Sequence, residues 1–178
     1  GQGFNKEEFL DLWRIEANDV VLCMDADTGK TIWKKVFPDG LYHDDWGKPR
    51  NANNTPAAGA GKIFFYSSMG VLRALDAESG ELAWEAWNSE EKQAQRQAVI
   101  ERGHLQEKRA PKAIMGPPVL FADGLAIFTH AASKQNYGRE KSLVAFDGAS
   151  GEQKWRVDNV GPGQGAPSLW FHDGVTYI

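Results

Sequence analysis

The stretch "FDGASGEQKW", residues 146–155, decides how this chain is read, because the same phrase occurs three times. "MDADTGKTIW" at 24–33 and "LDAESGELAW" at 75–84 place an apolar residue, an Asp, a Ser or Thr, a Gly and a closing Trp at the same offsets. Three copies within 178 residues mark a repeat protein.

Each copy predicts a β-hairpin. The apolar runs "VVLCM", "VLRAL" and "LVAF" lead into Asp25, Asp76 and Asp147, whose short carboxylates can bond nearby backbone N–H groups and start a turn. Gly29, Gly80 and Gly151 then supply the positive φ that closes a type I turn with a bulge. The returning strand ends in Trp33, Trp84 or Trp155. A Trp at a fixed phase of a fixed strand is explained as a wedge between stacked units, its ring buried and its indole N–H on a carbonyl. On this reading the repeated Asp, Gly and Trp are architecture and not chemistry. Cys23 takes the place held by Ala74 and Ala145 in the other copies, which predicts a small, buried packing position.

A second hairpin precedes the first. "TPAAGAGKIFFYSSMG" (55–70) and "GPPVLFADGLAIFTHA" (116–131) each give Pro, a short apolar strand, a Gly-containing turn and a stronger apolar strand, and "APSLWFHDGVTYI" (166–178) begins the same way. Pro is tolerated at a strand start, where no ladder donor is needed. One unit is thus four short antiparallel strands with the Trp on the last. Units of that kind, repeated at this period, are the blades of a β-propeller.

The expected fold is therefore all-β, a partial β-propeller of four-stranded antiparallel blades, two complete and two partial. The boundaries read as a lead-in over 1–19, a partial blade over 20–36, a blade over 55–87, a helical insertion over 88–112, a blade over 116–158 and a partial blade over 166–178. The insertion follows from the Trp positions, which are 51 and then 71 residues apart. Asn88 and Glu91 form a capping box, Arg102 suits the last turn and Gly103 a terminus, so a helix near 89–103 is predicted, resting on the propeller rim. Residues 4–19 predict a short helix leading into a strand.

Composition narrows the partners. With 42% apolar residues and seven Trp the chain reads as a packed globule. A net charge of −4 provides no basic field for nucleic acid or anionic lipid. No apolar run approaches the roughly 18 to 20 residues that span a bilayer, so no membrane insertion is expected. The single cysteine excludes an intrachain disulfide.

The phrases resemble the quinoprotein-type, or PQQ-like, β-propeller repeat, over most of residues 20–178: a small apolar residue and Asp, two residues, Ser or Thr with Gly, three residues, Trp. A WD-repeat reading fits less well, since Gly-His and Trp-Asp signatures are missing at blade intervals. The resemblance spans quinone-dependent alcohol dehydrogenases, a lipoprotein propeller assisting outer-membrane barrel assembly, and many bacterial secreted proteins. It implies a periplasmic or extracellular setting. Those dehydrogenases carry an adjacent Cys pair, a Trp platform and Glu, Asn and Asp ligands for calcium; here there is no Cys pair, and neither platform nor ligands can be placed.

Other chemistry is sparse. The longest connecting loop, 37–54, contains His43, Asp44, Asp45 and Trp46, with Asn51, Asn53 and Asn54. It reads as a polar rim loop and recognition surface rather than a metal site, because adjacent side chains on an irregular loop seldom converge on one ion. His104, His130 and His172 share no spacing. "GPGQG" at 161–165 lacks the Lys and the following helix of a phosphate loop, and "GAGK" at 59–62 reads as a hairpin turn. Trp46 and Trp87 are the candidates for a sugar-stacking surface.

No catalytic, cofactor-binding or metal residues are therefore assigned. The expected function is a non-catalytic binding or protein-interaction scaffold, with loop 37–54, the inserted helix and 133–141 as recognition elements. The alternative is part of a PQQ-dependent alcohol or sugar dehydrogenase, with PQQ and calcium as cofactors. Because the ends of one chain would close only three blades, below the four to eight that surround an axis, the expectation is either that this is a piece of a longer chain or that a protein partner or self-association, as a homo-oligomer, completes the propeller.

Overall fold

The computed structural model describes residues 17–40, 55–67, 71–87, 118–131, 141–160 and 167–178. The inserted helix near 89–103, the loop residues His43, Asp44, Asp45, Trp46, Asn51 and Asn53, and the segment 133–140 lie outside them.

Every described element is a strand. In order these are β1 (Ala17–Met24), β2 (Thr31–Gly40), β3 (Ala57–Gly59), β4 (Lys62–Tyr66), β5 (Val71–Asp76), β6 (Leu82–Trp87), β7 (Leu120–Ala122), β8 (Leu125–Ala131), β9 (Lys141–Asp147), β10 (Gln153–Asp158), β11 (Trp170–His172) and β12 (Val175–Tyr177). They pair antiparallel into two four-stranded meanders, β3-β4-β5-β6 and β7-β8-β9-β10, and two half-sheets, β1-β2 and β11-β12. This is the predicted arrangement of two complete blades with a partial one before and after.

Two turn types recur for stated reasons. The tight turns of β3-β4, β7-β8 and β11-β12 hold two successive residues at positive φ: Ala60 and Gly61, Asp123 and Gly124, Asp173 and Gly174. That is the two-residue hairpin whose twist matches the strands it joins, and it explains the Gly in second place. The longer turns carry the repeated phrase. Gly29, Gly80 and Gly151 have φ of 68°, 73° and 77°, and the register slips by a residue beside each, at Cys23/Met24, Ala74/Leu75 and Gln153/Trp155. The slip is a β-bulge, which tightens the local twist.

Alternation of side chains sends each complete blade into two cores. Phe64, Tyr66, Leu72 and Ala74 face Val119, Ala126, Phe128, Val144 and Phe146 of the next blade in one continuous cluster. Phe64 stacks on Phe121 with ring centroids 5.0 Å apart. From the opposite face of the same blade, Phe65 and Leu75 meet Phe37, Val21 and Trp33 of the β1-β2 half-sheet. The outward face of the second blade, with Ala122, Ile127 and Ala145, carries Trp155 and receives Leu169.

Cys23 differs from expectation. Ala74 and Ala145 are fully buried, whereas Cys23 is only half-buried, because β1 is the outer strand of a two-stranded sheet and β5 and β9 are inner strands of four.

Trp84 lies between two complete blades, so its truncation is the sharpest check of this packing. Trp84→Ala should cost about 3 to 5 kcal/mol in urea unfolding, and Trp84→Phe, which keeps a ring but strands a carbonyl, about 1 to 2 kcal/mol. A Trp84→Phe variant as stable as the native chain would contradict a role for the indole N–H, and equal losses for the two variants would contradict one for the ring.

Candidate functional site

The repeated turn is built by its own side chains. In the first copy, Asp25 Oδ1 accepts from the Thr28 backbone N–H at 2.7 Å and the Thr28 hydroxyl at 2.6 Å. Asp76 does the same with Ser79, at 2.8 and 2.9 Å, and adds the Glu78 N–H at 3.0 Å. Asp147 repeats it with Ser150, at 2.8 and 3.0 Å, and with the Ala149 N–H. Each loop then closes on its backbone: the N–H of Gly29, Gly80 and Gly151 donates to the carbonyl of its own Asp at 2.8 to 2.9 Å.

Hydrogen bonds to the charged form favour it. For Asp25 the Thr28 hydroxyl, then its N–H, holds the carboxyl below the ordinary range. For Asp76 and Asp147 the backbone N–H of Ser79 and Ser150 is the larger cause, followed by the hydroxyl. These carboxylates are occupied by turn-building.

Two of the three turns, those of Gly80 and Gly151, are seats for the neighbouring sheet. The Trp33 indole donates to the Ala77 carbonyl at 3.0 Å, and its ring lies over Gly80, where a Cβ would stand 2.7 Å from ring carbons. Trp84 repeats both contacts one blade on, donating to the Gly148 carbonyl at 3.1 Å and covering Gly151 with the same 2.7 Å approach. So the glycine serves twice: its φ needs no Cβ, and the indole leaves no room for one. Lys35 reinforces the first junction with an ion pair to Glu81 at 3.1 Å.

Sequence reasoning missed two features of these junctions. The residue after each Asp is small, Ala26, Ala77 or Gly148, and at Ala77 and Gly148 its backbone is used on both sides. The N–H of Ala77 donates to Gly61 O at 3.0 Å and that of Gly148 to Gly124 O at 2.8 Å, while the carbonyl takes the indole. A second interlock also exists: the Phe121 ring occupies the place a Cβ at Gly59 would take. Its signal was Gly59 itself, where the other two-residue hairpins carry Ala122 and His172. Arg73, the buried charged residue among the described ones, pairs with Glu85 across the strands at 3.2 Å and lies 4.3 Å from the Phe37 ring centroid.

The remaining candidates separate. His172 is exposed on β11, stacked on Trp170 at 5.2 Å. Trp87 ends β6 and His130 lies on β8, in different blades. "GAGK" is the β3-β4 turn, and "GPGQG" lies outside the described residues, as does His104. Among the described residues no three of His, Cys, Asp and Glu gather into a group that could hold a metal ion, and no described helix is long and apolar enough to cross a membrane.

Comparison with known proteins follows this geometry. A family model described as outer membrane protein assembly factor BamB matches residues 13–107. No curated protein matches. Among solved structures, quinohemoprotein alcohol dehydrogenase ADHIIG from Pseudomonas putida HK5 superposes with a TM-score of 0.51 at 18% identity, over 81% of this chain and 19% of that one. A europium-containing methanol dehydrogenase gives 0.50 at 17% identity, over 83% and 23%. BamB from Moraxella catarrhalis gives 0.47 at 15%, over 86% and 35%. The chain thus spans about a fifth of the two dehydrogenases, and at these identities the likeness is one of fold.

A quinone with calcium would need a convergent set of oxygen donors. The described residues do not fit it: no acidic cluster forms, the repeated Asp carboxylates accept from their own turns, and Cys23 has no neighbouring cysteine.

The lowered pKa values of the turn carboxylates give a pH test. A depressed carboxyl contributes stability that is full above the ordinary carboxylate range and is lost as pH falls through its folded value. In urea unfolding, the stability gap between the native chain and an Asp76→Asn/Asp147→Asn double variant should be widest near neutrality, narrow below the ordinary carboxylate range and close in stronger acid. A gap independent of pH would show that the charge takes no part.

Proposed function

Since the chain belongs to the family of the outer membrane protein assembly factor BamB, we propose that it is part of a non-catalytic β-propeller that serves as a protein-interaction scaffold, in the periplasm or outside the cell. The family match over residues 13–107 carries the proposal. The physical basis is a division of labour. Stacked sheets locked by indoles provide rigidity, and the connections between strands, 41–54, 88–117 and 132–140, can vary and recognise. An interaction surface of this kind needs neither a metal nor a quinone.

The competing reading is a quinone-dependent dehydrogenase. The two differ in what the folded chain takes up. Pyrroloquinoline quinone added with calcium should leave the melting temperature unchanged, since only a ligand that prefers the folded form raises it. A photo-cross-linker placed in 132–140 should, in cells, capture a component of the outer-membrane protein assembly apparatus. A rise in melting temperature with bound quinone absorbance would overturn the scaffold in favour of the dehydrogenase.

A further inference from the structure

Arg73 is 2% exposed on β5, an inner strand of the first blade. Its counterparts by register are Leu22 and Val144, so the repeat itself takes an apolar side chain at this place. A guanidinium removed from water there is kept only with compensation. What sets it apart is where its partners lie.

Those partners belong to two sheets. Arg73 Nε donates to Glu85 Oε2 at 3.2 Å, directly across the ladder on β6. On its other side the guanidinium carbon lies 4.3 Å from the centroid of the Phe37 ring, on β2 of the preceding half-sheet. Phe37 is held in turn by Phe65, which stands opposite Arg73 on β4, with ring centroids 5.5 Å apart. Arg73, Phe37 and Phe65 are all buried. At the second junction the charges stay within one blade. Arg156 takes the place of Glu85, and its bonds to Asp158 and Ser142 are made inside the second blade, while the two blades meet through the Tyr66 and Phe128 rings, 5.0 Å apart.

The position of the Arg73 contact gives it leverage. The same two sheets already meet where Trp33 lies over Gly80 and donates to the Ala77 carbonyl. Phe37 is four residues further along β2, about 13 Å away at the rise of a strand. One contact leaves two sheets free to turn about it, and a second at that distance fixes the angle between them. Apolar packing is non-directional, whereas a guanidinium is planar and takes a carboxylate and a ring face in set orientations. Just beyond this point β2 ends at Gly40 and β6 at Trp87, three residues after Phe37 and two after Glu85.

We infer that Arg73 is a positioning residue. It fixes the angle between the β1-β2 sheet and the first blade, and so sets together the two places from which the connections 41–54 and 88–117 depart. Its contribution is to geometry more than to stability, because a buried ion pair replaced by apolar side chains of similar volume often leaves a fold as stable or more so. The consequence for recognition rests on the reading of those connections as the recognition surface; the fixed angle does not.

Spin-label distances in the full chain test the angle without any partner, with Cys23→Ala removing the native thiol. Nitroxides on cysteines introduced at Val36 and Thr55, both exposed and on either side of the junction near its connections, should give one narrow distribution by double electron-electron resonance. Labels at Ile32 and Glu78, exposed beside the Trp33 seat, form the control pair. In Arg73→Met/Glu85→Leu the first distribution should broaden while the second stays narrow, with the melting temperature unchanged or raised. Phe37→Leu, which keeps an apolar side chain but no ring face, should broaden the first pair in the same way. A double variant whose first distribution stays as narrow as that of the native chain would overturn the inference. So would equal broadening at both pairs with a fall in melting temperature, which would make Arg73 a residue of general stability instead.

Discussion

The structure depends on an indole laid across a glycine of the neighbouring sheet, with its N–H on the carbonyl three residues before that glycine. Trp33 on Gly80 and Trp84 on Gly151 obey one geometry, to within 0.1 Å in the hydrogen bond. A bulky side chain at that turn would break the contact, and a smaller ring would leave a buried carbonyl without its donor, a cost comparable to the bond itself. The requirement explains why the phrase keeps Asp, Ser or Thr, Gly and Trp together: the carboxylate and hydroxyl shape the loop, the glycine clears the seat, and the tryptophan on the returning strand fills the next one.

That constraint also explains how much could be read from the residues alone. The two complete blades and two half-blades were legible, since each turn announces itself by Asp and Gly and each strand by an apolar run. The small residue after the Asp, and the Phe121 ring over Gly59, were not read, because both reflect a close approach between units far apart in sequence and leave only a small side chain as a trace. Burial of Cys23 was misjudged for the same reason. Its intrinsic preference matches that of Ala74 and Ala145, but burial is conferred by the strand alongside, and β1 has β2 alone. The residues chosen for the candidate surface, His43 to Asn53, fall in a connection that obeys no repeat, so no periodicity constrained their reading.

Arg73 shows how the repeat tolerates exceptions. Its counterparts by register are Leu22 and Val144, so a guanidinium has entered a position otherwise apolar. A charge buried there is kept only with compensation, and two groups provide it: Glu85 directly across the strands and the face of Phe37 from the adjoining half-sheet. The cation thereby ties the first blade both to itself and to its predecessor. Glu85 stands where the second blade has Arg156, which is paired in turn with Asp158 at 2.8 Å and Ser142 at 2.7 Å. The two blades thus solve the same edge with opposite charges.

Units that bury one another only at shared faces behave as a chain of nearest neighbours, in which stability is the sum of unit and junction terms. Here the junction terms are unequal. The contact between the two blades closes a nine-residue buried cluster, the β1-β2 junction a three-residue one, and Trp170, Phe171, Val175 and Tyr177 of β11-β12 remain largely in solvent. Among the described residues, burial therefore falls from the junction of the two complete blades toward both half-sheets. The two complete blades thus share the stiffest junction, whereas the half-sheets carry most of the exposed large apolar side chains among the described residues.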